Sequence, residues 1–154
     1  NNTFIYNRAG SNGGGGLYSY EASPTIINSI FWDNFKDENK AIVEADIGSF
    51  SGLTTVTYSL TQENSTYNTG TGIINNQDPL FVDALNGNFR LISGSPAINT
   101  GDNAAWLPAE LAVAKDLGGD LRLRNTIIEM GAYESNYCST MLTLASPTND
   151  ASSG

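Results

Sequence analysis

The sequence predicts an all-β chain: a parallel β-helix, a solenoid of short strands, closed by an irregular C-terminal cap. Three observations predict it. First, the sequence repeats. Phe4-Ile5-Tyr6-Asn7 and Phe31-Trp32-Asp33-Asn34 share a Phe-x-x-Asn step 27 residues apart. Pro24 to Asn34 aligns with Thr54 to Asn64 at an offset of 30, setting Thr25 on Thr55, Ile26 on Val56, Ser29 on Ser59, Ile30 on Leu60 and Asn34 on Asn64. Second, the apolar runs are short, β-branched or aromatic, and separated by Asn, Gly and Pro. Third, a unit of this size cannot bury its apolar face alone, so stacking of unit on unit supplies the core. A β-sandwich also has short strands and regular turns, but its same-face residues do not recur at a unit length.

Along the chain, residues 1–71 read as the last turns of the solenoid. Thr25-Ile26-Ile27 and Ser29-Ile30-Phe31 are strands, and Thr54 to Leu60 alternates Val56, Tyr58 and Leu60 against Thr and Ser. "RAGSNGGGG", "DENK" and "NTGTG" are turns. Residues 72–134 contain strands but no further copy of the repeat, which suits an end unit covering the last exposed layer. Leu80, Phe81, Leu91 and Ile98 are the candidates for that cover. Asn103 to Lys115 holds the one helical stretch, with Pro108 at its first position and Gly118-Gly119 as a stop. Residues 135–154 read as a linker or the start of a following module.

Composition excludes several functions. The 154 residues carry 7 basic and 16 acidic side chains, a net charge of −9, which argues against nucleic acid and anionic membranes. With no histidine, the Ser-His-Asp and Cys-His nucleophile systems and most zinc sites are absent. The single Cys138 has no intrachain partner. No apolar run approaches the ~20 residues of a membrane span. The opening "NNTFIYNRAG" lacks a signal peptide's charged start and apolar stretch, and it begins inside a repeat. The chain is therefore expected to be a piece of a longer protein.

Few motifs carry chemistry. Asp78-Pro79 and Ser95-Pro96 read as turns whose side chains accept local N–H bonds. Gly13 to Gly16 has no following helix or Lys-Ser/Thr to make a phosphate loop, so a tight corner with positive φ is expected. Asn7, Asn34 and Asn64 are expected to form an internal ladder. Asp102, Asp116 and Asp120 form the candidate calcium site, since calcium takes carboxylate and carbonyl oxygens from loops; no other cofactor is expected. Tyr18, Trp32 and Trp106 are the candidate glycan contacts, with Tyr20 a further large aromatic beside them. No set of acids and bases has the spacing of a catalytic site, so whether the whole protein is an enzyme stays open.

"GGGGLYS" followed by "SPTIINSIFWDN" resembles the repeats of polymorphic outer-membrane-protein-like β-helices. "DPLFVDALNGNFRLISGSPAINTGDN" followed by "DLGGDLRLRNTIIEMGAYE" is similar to the C-terminal end of right-handed parallel β-helix proteins secreted by Bacteroidetes-type bacteria, and to that of some β-helical polysaccharide lyases. "LASPTNDASSG" resembles the lead-in to small β modules that precede a secretion-sorting domain. The family's pattern carries Asp where this chain has Asn99, which weakens any cation site there. The resemblance implies a right-handed helix on a secreted or bacterial cell-surface protein. Its function would be structural or adhesive and non-catalytic, with a polysaccharide or cell-surface glycan as partner. The alternative is the C-terminal portion of an extracellular polysaccharide lyase or glycoside hydrolase whose active groove lies upstream.

Overall fold

The structure is a computed structural model that describes residues 1–11, 13–38, 41–62 and 70–137. Cys138 and Asn64 lie outside the described residues, as does most of the 135–154 segment. Short strands make up most of the regular structure, and helix is confined to a few residues. The first strands are β1 (Thr3–Ile5), β2 (Arg8–Ala9), β3 (Leu17–Tyr20), β4 (Thr25–Ile27) and β5 (Ile30–Trp32). They are followed by β6 (Phe35–Glu38), β7 (Ala41–Glu44), β8 (Ile47–Phe50), β9 (Thr55–Thr57), β10 (Leu60–Thr61) and β11 (Ile74–Asn75).

Their sheets are short parallel pieces that join residues one repeat apart. β1 pairs with β5 with Phe4 opposite Phe31, and β2 pairs with β6 with Arg8 opposite Phe35. β4 pairs with β9 with Thr25 opposite Thr55 and Ile26 opposite Val56, and β3 pairs with β8 with Tyr20 opposite Phe50. The largest sheet runs β1-β5-β10-β11. Both repeat offsets read from the sequence are thus registers of parallel pairing. One antiparallel excursion, β6 with β7, interrupts the pattern.

The corners between strands recur at the same offsets. Tyr6 and Asp33, Glu21 and Ser51, and Asn28 and Tyr58 all hold left-handed φ values between 44° and 57°. Such a conformation costs a non-glycine residue about 1–2 kcal/mol, so it persists only where the ladders on both sides fix it. Side chains add their own ladders. Ser29 N–H donates to Ser59 Oγ at 3.1 Å, and Asn2 N–H donates to Ser29 Oγ at 3.3 Å. Asn34 is fully buried. Its Oδ1 accepts the backbone and side-chain N–H of Asn7, and its Nδ2 donates to Phe4 O and Asp46 Oδ1. Asp46 Oδ2 accepts Gln62 N–H at 2.8 Å. The expected asparagine ladder is present between Asn7 and Asn34, with Asp46 continuing it.

Two apolar clusters lie on the two faces of the main sheet. Phe31, Ile47 and Val56 form one, joined by Phe4, Leu17, Ile26 and Ile73, and the Phe4 and Phe31 rings stack at 4.5 Å. Neighbouring residues in a strand face opposite ways. Ile30 and Leu60 therefore point to the other cluster, which they share with Leu91, Ala97 and Met130. Leu91, Phe81 and Ile98 were expected over an open end. They pack with Ile30, Leu60 and Ile74 of the three strands β5, β10 and β11.

The chain reaches that cluster through β12 (Phe81–Asp83) and β13 (Asn88–Leu91), an antiparallel pair around a turn closed by Asp83 and Gly87. Asp78 and Ser95 do initiate turns: their side chains accept Leu80 N–H at 2.8 Å and Ala97 N–H at 3.2 Å. The helix α1 (Pro108–Leu111) starts at proline as read, but it ends after one turn, well before Gly118. The segment then returns to the beginning of the chain. Gly131 N–H donates to Asn28 O at 2.9 Å, Ala132 N–H to Thr3 Oγ1 at 3.0 Å, and Asn1 Nδ2 to Glu129 O at 3.1 Å.

The glycine run departs from expectation. None of Gly13 to Gly16 has positive φ. Their role is close approach of backbone to backbone. A Cβ on Gly15 would lie 2.5 Å from Phe35 N and O, and one on Gly14 would lie 2.2 Å from Gly48 N.

Candidate functional site

The strongest surface feature is aromatic. In the β3–β8 ladder, Leu17 opposite Ile47 and Ser19 opposite Ser49 face inward, so Tyr18 opposite Gly48 and Tyr20 opposite Phe50 face outward. Tyr20 and Phe50 are 62% and 54% exposed, yet their rings stack with centroids 5.2 Å apart and planes within 11°. Each ring covers one face of the other and leaves its second face to solvent. Tyr18 is also exposed, and Gly48 gives its ring room: a Cβ there would lie 3.0 Å from the ring. An exposed cluster of this kind on a regular sheet marks a contact surface.

The three aromatics expected to touch glycan are not brought together. Tyr18 belongs to this outward face. Trp32 is half-buried against the Ile30–Leu60–Met130 cluster. Trp106 donates its indole N–H to Asn1 Oδ1 at 3.1 Å and lines a cavity of about 300 Å³ with Phe4, Ile26 and Ser29. Phe50 was missed. The repeat offset of 30 applied to Tyr20 lands on it, and that was the available signal.

The three aspartates expected to hold calcium are each occupied. Asp102 caps a 3-10 turn by accepting Ala104 N–H at 2.9 Å, and its backbone N–H and C=O are both bonded to the Asn28 side chain. Asp116 is buried, with one oxygen accepting Asp120 N–H and the other Glu134 N–H, both at 2.8 Å. Asp120 pairs with Arg124 at 3.3 Å. Among the described residues no group of three His, Cys, Asp or Glu side chains is placed to hold a metal. Asn99 sits in a left-handed corner, and its side-chain atoms are buried without a hydrogen-bond partner among the described residues.

Sequence reading also missed a buried polar cluster. Arg122, Glu129, Glu134 and Ser135 are all at least nine-tenths buried. Arg122 Nη1 donates to Gly131 O at 2.9 Å and to Glu134 Oε1 at 3.3 Å, and Nη2 donates to Ala132 O at 3.1 Å. Glu134 Oε2 accepts Glu129 N–H at 3.1 Å, and Ser135 Oγ–H donates to Glu129 Oε1. Burial, with the Glu129 charge, pushes the Glu134 carboxyl up to about 8 against the opposing Arg122. Burial likewise raises Glu129. Raised carboxyls are a mark of catalytic acids. Here Glu134 is engaged by Arg122 and the Glu129 amide and lines a cavity of about 260 Å³, and Glu129 is engaged by the Ser135 hydroxyl.

Compared with family models, curated proteins and solved structures, the chain matches none of them.

Proposed function

We propose that this chain is a non-catalytic segment of a right-handed parallel β-helix on a secreted or cell-surface bacterial protein, and that it contacts neutral polysaccharide through its outward aromatic face. Parallel registers at offsets of 27 and 30, with left-handed corners recurring at the same offsets, support the solenoid reading. The observation that carries the binding reading is the exposed Tyr20–Phe50 stack beside Tyr18. Aromatic faces stack on the C–H faces of sugar rings, and burying an exposed ring adds apolar area. A chain of charge −9 disfavours acidic glycans, which leaves neutral ones.

Affinity electrophoresis through gels loaded with neutral or acidic polysaccharides tests this. Retardation is expected in a neutral gel, and Tyr20→Ala and Phe50→Ala should each weaken it about tenfold, the equivalent of ~1.4 kcal/mol. Absence of retardation on every neutral glycan, or wild-type retardation by the double variant, would sink the binding reading.

A further inference from the structure

The buried cluster joins the chain's last described segment to its first. Residues 128–135 are held to Asn1, Thr3 and Asn28 by backbone bonds, and the same residues carry Glu129 and Glu134. Asp116, Glu129 and Glu134 are three buried carboxylates, and the buried guanidinium of Arg122 is bonded to Glu134 alone of them. Both Asp116 oxygens accept backbone N–H. Glu129 Oε1 accepts the Ser135 hydroxyl, while the buried Glu129 Oε2 has no hydrogen-bond partner among the described residues, which leaves half of the carboxylate unsolvated. Leaving such a charge in the interior costs several kcal/mol, and a group in this position keeps a proton instead.

We infer that this cluster is a proton-operated latch: the two glutamates hold one proton between them while the 128–135 segment is seated, and loss of that proton to solvent frees the segment from Asn1, Thr3 and Asn28. The two residues adjoin through the Glu129 N–H bond to Glu134 Oε2, and the Glu129 charge raises the Glu134 carboxyl. The other charged groups facing them are Arg122, Arg124, Asp116 and the α-amino group of Asn1, with Arg90 and Asp120 lining a cavity beside Glu134.

The sign follows from linkage. Glu134 is raised from 4.5 to about 8 in the folded protein, so within that window the folded state holds a proton that the unfolded state has released. The latch is tightest at the acid end of the window and loosens as pH rises through it. The α-amino group has the opposite sign. Burial first, then Arg122, lower it from 8.0 to about 6, so it favours the folded state as pH rises between those values. An N-acetylated sample removes this contribution.

The test is amide hydrogen exchange on the N-acetylated chain from about pH 5 to about pH 9, corrected for intrinsic exchange rates. The Gly131 and Ala132 amides, bonded to Asn28 O and Thr3 Oγ1, report the latch; the Phe35 amide, bonded to Asn7 O, reports the ladder. Exchange at Gly131 and Ala132 should rise at least tenfold while Phe35 stays protected. Glu129→Gln, which has no carboxyl proton to lose, should flatten that rise, and Glu134→Gln provides a second variant. Unchanged exchange at Gly131 and Ala132, an equal rise at Phe35, or a full rise retained in both folded variants would overturn the latch.

Discussion

Replacing Gly15 by alanine should be among the most damaging single-methyl changes available. The added Cβ would stand 2.5 Å from both Phe35 N and Phe35 O, and 2.9 Å from Asn7 O. Relaxed carbon contacts need roughly 3.5 Å, so Phe35 would have to retreat by about 1 Å. That movement pulls on the Phe35 N–H bond to Asn7 O, now 2.9 Å, and on the Arg8–Phe35 step of the β2–β6 ladder. Overpacking costs about 1–3 kcal/mol, and each weakened backbone bond adds about 1 kcal/mol. A total of about 3–5 kcal/mol is a large share of the ~5–15 kcal/mol that holds a domain together. Gly10 provides the control: its Cβ would meet nothing within 4 Å, and its φ is not positive. Gly10→Ala should therefore be neutral, or stabilising by up to about 1 kcal/mol through the unfolded chain. Urea unfolding followed by fluorescence of Trp32 and Trp106 measures both. If Gly15→Ala unfolds at the same urea concentration as Gly10→Ala, backbone approach is not what the glycine run is for.

Asn34→Ala should cost about 3 kcal/mol in the same assay, since it removes a fully buried side chain that holds Asn7, Phe4 and Asp46; a loss under 1 kcal/mol would contradict the ladder's role. Ser51→Gly should raise the melting temperature by about 2 °C, because Ser51 is exposed and held at φ 51°, where glycine is unstrained. A lowered melting temperature would show that the serine side chain matters more than the corner. Excess EDTA should leave the melting temperature unchanged, because the carboxylates of Asp102, Asp116 and Asp120 already have protein partners. A drop of several degrees would restore calcium to that region.

The ladder was legible in the sequence because parallel pairing at a repeat length puts like residues side by side. Thr25 on Thr55 and Ile26 on Val56 are both an alignment and a register. What packs on the ladder was not legible. Met130 meeting Ile30, or Ala132 meeting Thr3, leaves no periodic trace, since one partner lies outside the repeat. Nothing in the local sequence marks Glu129 and Glu134 as buried, because burial is a property of what returns to cover them. The glycine run signalled a special backbone, but conformational freedom and close approach select the same residue, and only the position of Phe35 separates them. For the candidate site, strand alternation placed Tyr18 outward, whereas Trp32 is covered by a segment that no local pattern announces.

The bond from Ala132 N–H to Thr3 Oγ1 spans 129 residues, whereas the Asn7–Asn34 bond spans 27. Closing the longer loop costs about 1.4 kcal/mol more chain entropy, and contacts of such separation form slowly. The ladder should assemble early in folding, leaving Ile30 and Leu60 bare until the far end of the chain arrives. Pulse-labelled refolding should then show Phe35 N–H protected before Ala132 N–H. The interval between the two is when this chain is most exposed to aggregation and proteolysis, and a ribosome releasing it N-terminus first would lengthen that interval.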